Sequence, residues 1–193
     1  MREQPILTSD RLLLRPFCAT DAPRVQNLAG RRAIADTTVS IPHPYSLSQA
    51  EAWIASHPHE FAEGKAVHFA IECKESQQLI GAIALRDIER EHCQGELGYW
   101  LGVEFWGRGY TSEAAKMAIA YGFEVLLLHR IYAYHMARNP ASGRVLQKLG
   151  MRQEGLLCDR VRKWDIFEDV CLYAILTEEW RTSNREFRKN FSN

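Results

Sequence analysis

The chain has 193 residues, within the usual span of one domain of about 100–200. With 46% apolar and 25% charged residues it can bury a sizeable core behind a water-facing surface. Lysine plus arginine and aspartate plus glutamate number 24 each, so the formal net charge is zero and no bulk field recruits nucleic acid or an acidic membrane.

The N-terminal Met1-Arg2-Glu3-Gln4-Pro5 lacks the apolar core of a leader, and no run approaches the roughly 18 apolar residues of a membrane span. Cys18, Cys73, Cys93, Cys158 and Cys171 are odd in number and widely spaced without Cys-x-x-Cys, which argues against a disulfide framework or zinc site. Reduced thiols and a cytoplasmic location are expected.

Ile6-Leu7 and Leu12-Leu13-Leu14 flank a polar Thr8-Ser9-Asp10-Arg11 and predict one strand with a small irregularity. Thr20 is the expected N-cap of a helix that carries Pro23 in its first turn and Val25, Leu28 and Ala29 on its apolar face. Ser40 to Tyr45 is not helical, because each proline biases its predecessor toward extended geometry. Ser46 or Ser48 opens a second helix through Ala50, Trp53 and Ile54, closed by His57-Pro58-His59. The Pro-rich loop between these helices is either a pocket wall or a plain surface connection.

From Ala66 the period becomes strand-like. Val67–Cys73 and Leu79–Leu85 predict a hairpin around Lys74–Gln78, followed by a polar, disordered stretch from Arg86 to Gln94. Glu96–Leu101 is the next strand, in which Gly98 implies a bulge or a close backbone approach. Trp106-Gly107-Arg108-Gly109-Tyr110-Thr111-Ser112 then leads into a helix bearing Ala114, Ala115, Ala118, Ile119 and Phe123 at helical spacing. Ile131–His135 is a strand, Ser142–Leu149 a short helix ended by Gly150, and Met151–Leu157 and Trp164–Leu176 are strands before a last turn at Thr177. The polar tail from Arg181 is expected to fray, which leaves residues 6–181 as one domain and 182–193 as a tail.

Two closely spaced glycines between a strand and a helix suit an anion cradle. Gly107 and Gly109 can take positive φ, and Thr111 or Ser112 can cap the helix while first-turn N–H groups point outward. A plain strand-to-helix turn would use the same residues. The dinucleotide fingerprint lacks its third glycine, since Ser112 stands there, and no Gly-Lys-Ser/Thr occurs for a nucleoside-triphosphate loop.

Val103 to Thr111 resembles the acetyl-coenzyme A loop of the GNAT superfamily of N-acetyltransferases, whose pattern is Gln or Arg, Gly, any, Gly, any, Gly or Ala. Trp106 in the first position and Thr111 in the last depart from it, as they do in the RimJ/RimL-type branch, which acetylates protein N-termini or small amines. Thr8 to Arg15, Asn139-Pro140-Ala141-Ser142 with Leu149-Gly150-Met151, and Phe167-Glu168-Asp169 with Tyr173–Leu176 match the same branch, so the resemblance spans residues 6–181.

The resemblance implies a mixed α+β GNAT fold, a mostly antiparallel, splayed sheet of about seven strands flanked by about four helices. It implies acetyl-coenzyme A as cosubstrate and a primary amine as acceptor, first a protein N-terminal α-amine, second a small amine such as an antibiotic, polyamine or amino acid. A coenzyme-binding module without turnover is the reading from another class, and a homodimer is an expectation of the family.

It also implies a site. The coenzyme arm would lie between Leu101–Val103 and Tyr134–His135, pairing with backbone groups of Leu101 and Val103, with the Leu101 amide facing the developing oxyanion. Trp106, Gly107, Arg108, Gly109, Tyr110 and Thr111 would hold the pyrophosphate. Asn139 would sit on the arm and Ser142 near the sulfur, although Asn and Ser in such a place also serve as helix caps. Glu96 is the candidate base, or else an exposed strand carboxylate.

Tyr45, Tyr99 and Trp53 are candidate pocket walls or plain core. Glu168, with Asp169, would close the substrate side or satisfy a basic loop at Arg160–Lys163. His57 and His59 have no third ligand, so no metal is expected.

Overall fold

In the computed structural model, which describes residues 3–183, the chain builds eight strands and six α-helices among those residues. The strands form one sheet in the order β1-β2-β3-β4-β5-β6-β8-β7. β1 (Leu7–Thr8) and β2 (Leu12–Arg15) are two strands where the sequence suggested one, with Leu7 opposite Leu14. Ser9 makes the reversal, its Oγ accepting from the Leu12 N–H at 3.1 Å.

β2 pairs antiparallel with β3 (Val67–Cys73), β3 with β4 (Gln78–Glu89), and β4 with β5 (Gln94–Leu101). The polar stretch from Arg86 is therefore not disordered: β4 runs through it, losing register only between Arg86 and Glu89. One face of this extension meets solvent while Ile88 packs against the core, and that hides the strand signal. Gly98 pairs in register with Ala84, so no bulge lies there. A Cβ at Gly98 would stand 3.4 Å from Arg86 Nε, so the close approach is by the arginine side chain.

β5 pairs parallel with β6 (Arg130–Met136) only at Gln94–Glu96, whereas β6 pairs antiparallel with β8 (Ile166–Leu176) along its whole length. The edge strand β7 (Arg152–Lys163) pairs with β8, so Arg160–Lys163 is strand and not loop. The short α2 (Arg32–Ala35) and α6 (Thr177–Ser183) raise the helix number above the expected four. Arg181 lies in α6, and residues 184–193 of the expected tail lie outside the described residues.

One face of the sheet buries α4 (Tyr110–Glu124) and α5 (Pro140–Lys148) over Leu97, Leu101, Ile131 and Ala133. Ala114, Ala115 and Ala118 are fully buried, which lets α4 lie close. The other face carries α1 (Ala22–Ala29) and α3 (Leu47–Ala62) over Ala70, Leu79 and Trp100. The cap of α1 is Asp21 and not Thr20; its carboxylate accepts from the Cys18 N–H at 2.9 Å and from Arg15 at 2.7 and 2.9 Å.

Ser46 caps α3 through a reciprocal pair with Gln49. Contrary to expectation α3 continues through Pro58 to Ala62. Pro58 forfeits one helical hydrogen bond, but the preceding His57 is wedged edge-on to Trp53 and Phe17 and stacked on His68 at 4.1 Å, and that packing holds the helix together.

His57 is 4% exposed, and neither ring nitrogen has a hydrogen-bond partner. Burial, then the adjacent His68, pushes its pKa down to about 3. Between that value and the ordinary value of about 6.5 the unfolded chain takes up a proton that the folded chain refuses, so His57 costs stability as pH falls. His57→Phe is expected to raise unfolding stability at neutral pH by about 1–2 kcal/mol and to flatten the loss toward acid. Urea denaturation across pH checks this, and an unchanged acid slope in the variant would refute it.

Candidate active site

The β5–β6 ladder ends at Glu96 opposite Tyr132, and beyond it the two strands follow different neighbours. The Gly102 N–H donates to Ile80 O at 2.9 Å, which fixes the even residues of β5 toward β4. By the alternation of the ladder, the Leu97 N–H is taken up by the last β5–β6 bridge, while the Leu97 carbonyl and the N–H and C=O groups of Tyr99 and Leu101 turn into the fork. An extended ligand bearing amides can pair there like a short strand. The Leu101 carbonyl already accepts from Trp106 Nε1 at 2.7 Å, while its N–H faces the opening. Val103 starts a 3₁₀ turn whose carbonyl accepts from the Trp106 N–H at 3.2 Å, so its N–H is what it offers a ligand.

The cradle takes the conformation its glycines suggested, with φ of 75° at Gly107 and 79° at Gly109. α4 begins two or three residues earlier than expected, with Gly109 as N-cap, so Thr111 and Ser112 lie inside the first turn and cap nothing. A cap without a side chain leaves the first-turn N–H groups uncovered, the arrangement that favours an anion. Trp106 is 47% exposed, Arg108 is exposed, and Tyr110 is buried.

Sequence reasoning gave no role to Arg11 or Glu113, which hold the cradle in place. Arg11 Nε donates to Glu113 Oε2 at 2.7 Å and Nη1 to the Arg108 carbonyl at 3.1 Å, while its guanidinium lies 4.8 Å from the Tyr110 ring centre. Ser9 Oγ donates to the other oxygen of Glu113 at 2.7 Å. Arg11 within the conspicuous Thr8–Arg15 stretch, and an acid in the first turn of α4, were the available signals.

At the fork, Tyr99 Oη and Ser142 Oγ are 2.8 Å apart. Tyr99, nominated as a pocket wall or plain core, packs against the core on the α4 and α5 side and meets Ser142 there. Burial pushes its pKa up to about 12, and the hydrogen bond to Ser142 only partly offsets this. Asn139 caps α5, its Oδ1 accepting from the Ser142 N–H at 3.3 Å. That cap also fixes where the serine stands.

Glu96 lies on the opposite face, the side of Trp100 and α3, opposite Arg86 in register. It is 9% exposed, and its Oε1 accepts from Arg86 Nη2 at 2.5 Å and Nε at 3.2 Å. Burial raises its pKa against the pull of Arg86. A carboxylate so placed is a stronger base than a free one.

Tyr45 packs on the same face and lines an open cavity of about 410 Å³ with Asn27, Arg31 and His43. Glu168 accepts from Arg138 Nε at 2.7 Å rather than from residues 160–163, and Arg138 Nη2 also donates to Asp36 O at 2.5 Å. Lys163 donates to Ile41 O at 2.7 Å and Trp164 Nε1 to Asp36 Oδ1 at 2.6 Å, so segment 36–41 is clamped to the end of β7 and the turn that follows it. Trp53 belongs to the His57 cluster. Among the described residues no group of three or more His, Cys, Asp or Glu is arranged to hold a metal.

Residues 11–152 match the family model of the acetyltransferase (GNAT) domain. The uncharacterized N-acetyltransferase YoaA of Bacillus subtilis is 31% identical over 172 residues, covering 89% of this chain and 97% of its own. The [ribosomal protein uS5]-alanine N-acetyltransferase of Escherichia coli is 28% identical over 183 residues, covering 90% and 92%. The spermidine N-acetyltransferase of Vibrio cholerae, solved with CoA and spermine, superposes with a TM-score of 0.78 at 24% identity over 89% of this chain and 99% of that one.

Removing the clamp on the cradle tests its role. Glu113→Ala frees Arg11 and the Arg108 carbonyl, and is expected to weaken coenzyme A binding about fivefold in calorimetry with the circular dichroism spectrum unchanged. Undiminished affinity would show that the clamp does not shape the cradle.

Proposed function

The chain belongs to the GNAT acetyltransferase family and is an acetyl-coenzyme A-dependent N-acetyltransferase, and we propose that its acceptor is a protein N-terminal α-amine in the cytoplasm. The observation that carries this reading is the pairing of the two nominated carboxylates: Glu96 is bound to Arg86 and Glu168 to Arg138. A polyamine brings several cations and calls for carboxylates without partners. An N-terminal amine brings one charge, followed by backbone and side chains that need hydrogen bonds and apolar contacts. The relative named for alanine acetylation of a ribosomal protein supports the same choice.

In the proposed mechanism the neutral amine attacks the thioester carbon directly, in a ternary complex. An α-amine ordinarily titrates at about 7.7–8.0 and a lysine at about 10.4, so deprotonating the lysine costs roughly 3.4 kcal/mol more. One carboxylate of raised basicity, Glu96, suffices for the α-amine, acting directly or through water. The Leu101 N–H meets the oxyanion, and Ser142 stands by the departing sulfur. Asn139 and the backbone of Leu101 and Val103 hold the arm. Arg108, with the N–H groups from Gly107 to Thr111 between Trp106 and Tyr110, holds the pyrophosphate, while Tyr45 and Glu168 border the acceptor.

Ala- and Ser-starting peptides with free or blocked N-termini, each with an internal lysine, test the acceptor through release of the coenzyme A thiol. Release is expected with free N-termini alone, and Glu96→Gln should lower kcat by about 10²-fold and remove the acid limb of its pH profile. Silence with every peptide together with turnover of spermidine would replace this reading with a small-amine one.

A further inference from the structure

We propose that Tyr99 is a positioning residue for the transfer: its phenol donates to the Ser142 hydroxyl and so turns the serine hydrogen toward the sulfur in the fork. The inference rests on the reading of Ser142 given above. Tyr99 Oη lies 2.8 Å from Ser142 Oγ and 3.4 Å from the Ser142 carbonyl, so its shorter bond goes to the hydroxyl. A phenol is a stronger acid than an aliphatic alcohol, which makes Tyr99 the donor and Ser142 the acceptor. A serine hydroxyl has one hydrogen to give, and with the phenol donating to its oxygen that hydrogen is left for another acceptor.

With one lone pair of Oγ engaged, the hydroxyl rotor keeps few orientations, and donation from the phenol polarises its O–H. Burial keeps Tyr99 protonated, its pKa pushed up to about 12, so the donor persists through the range in which a thiol of about 8.5 ionises. Tyr99 and Ser142 come from opposite banks of the fork: Tyr99 from β5, Ser142 from α5, which follows β6. The bond therefore sets the hydroxyl at the place where the strands separate.

In the step itself the amine nitrogen forms the new C–N bond and the C–S bond breaks with its electron pair passing to sulfur. The surplus proton of the amine passes to Glu96 or water. The thiolate leaves while accepting a hydrogen bond from Ser142 and is then protonated by solvent. Tyr99 gives up no proton and touches no reacting atom.

Coenzyme A and its desulfo analogue, titrated into the full chain between about pH 6 and about pH 10, isolate the contact with sulfur. In the unaltered protein the preference for coenzyme A over the analogue is expected to grow about tenfold as the thiol ionises. Tyr99→Phe and Ser142→Ala should each abolish that growth, with affinity for the analogue kept within about twofold, and the double variant should lose no more. Ser142→Thr, which keeps a hydroxyl, should retain part of the growth and lose it when combined with Tyr99→Phe.

Growth retained in Tyr99→Phe but lost in Ser142→Ala would overturn the role of Tyr99 alone. Absence of growth in the unaltered protein would overturn the placement of Ser142 and this inference with it.

Discussion

The site depends on one constraint: a parallel pair of strands that stops pairing after Glu96 and Tyr132. β5 keeps its ladder with β4, and β6 keeps its ladder with β8, so each bank of the fork is held rigid from its far side. The Leu97 carbonyl, the backbone groups of Tyr99 and the Leu101 N–H are left facing the opening. Backbone polar groups in a protein interior need partners. A fork of this kind is a template for an extended amide ligand, whatever the rest of the chain does.

Local electrostatics complete the template in a chain whose formal net charge is zero. Two glycines with positive φ deliver the bare first turn of α4 to one end of the fork. Arg11 reaches from the β1–β2 reversal, ties down Glu113 and holds the Arg108 carbonyl. The carbonyl dipole is thereby engaged by a cation rather than turned on an incoming anion. α5 is seated as tightly on β6, since a Cβ at Gly143 would stand only 2.9 Å from His135 Nε2. That close approach brings Ser142 within reach of Tyr99.

What was legible in the sequence was local. The Gly107 and Gly109 turn, a serine cap for α3, found at Ser46, and the end of β5 at Leu101 are short-range patterns, and each is present. What escaped was set by partners distant in sequence. Arg11 and Glu113 meet across the fold, as do Tyr99 and Ser142, and no periodicity reports such pairs. Pro58 would end an isolated helix, yet the rings around His57 carry α3 through it. The last third of β4 read as polar and disordered because only Ile88 of Arg86–Glu89 packs on the core. Asn139 shows a further limit: capping α5 and touching an arm are compatible, so finding the cap does not remove the second role.

The two faces of the sheet at the fork differ in chemistry, and the difference bears on how a ternary complex forms. Tyr99 and Ser142 lie on the α4 and α5 side, Glu96 and Arg86 on the α1 and α3 side, one strand-thickness apart. Tetrahedral attack requires the nucleophile to approach the thioester carbon from outside the plane that contains sulfur and oxygen. On the proposed reading, with the thioester threaded between β5 and β6, an amine arriving on the Glu96 face meets the carbon while the sulfur departs toward Ser142. Base and leaving-group contact then never compete for the same space. The acceptor also need not pass the pantetheine arm to reach the carbon. On the proposed reading, the fork serves as a partition with chemistry in its opening, and the identity of the acceptor is decided by the α1, α3 and clamped 36–41 side alone.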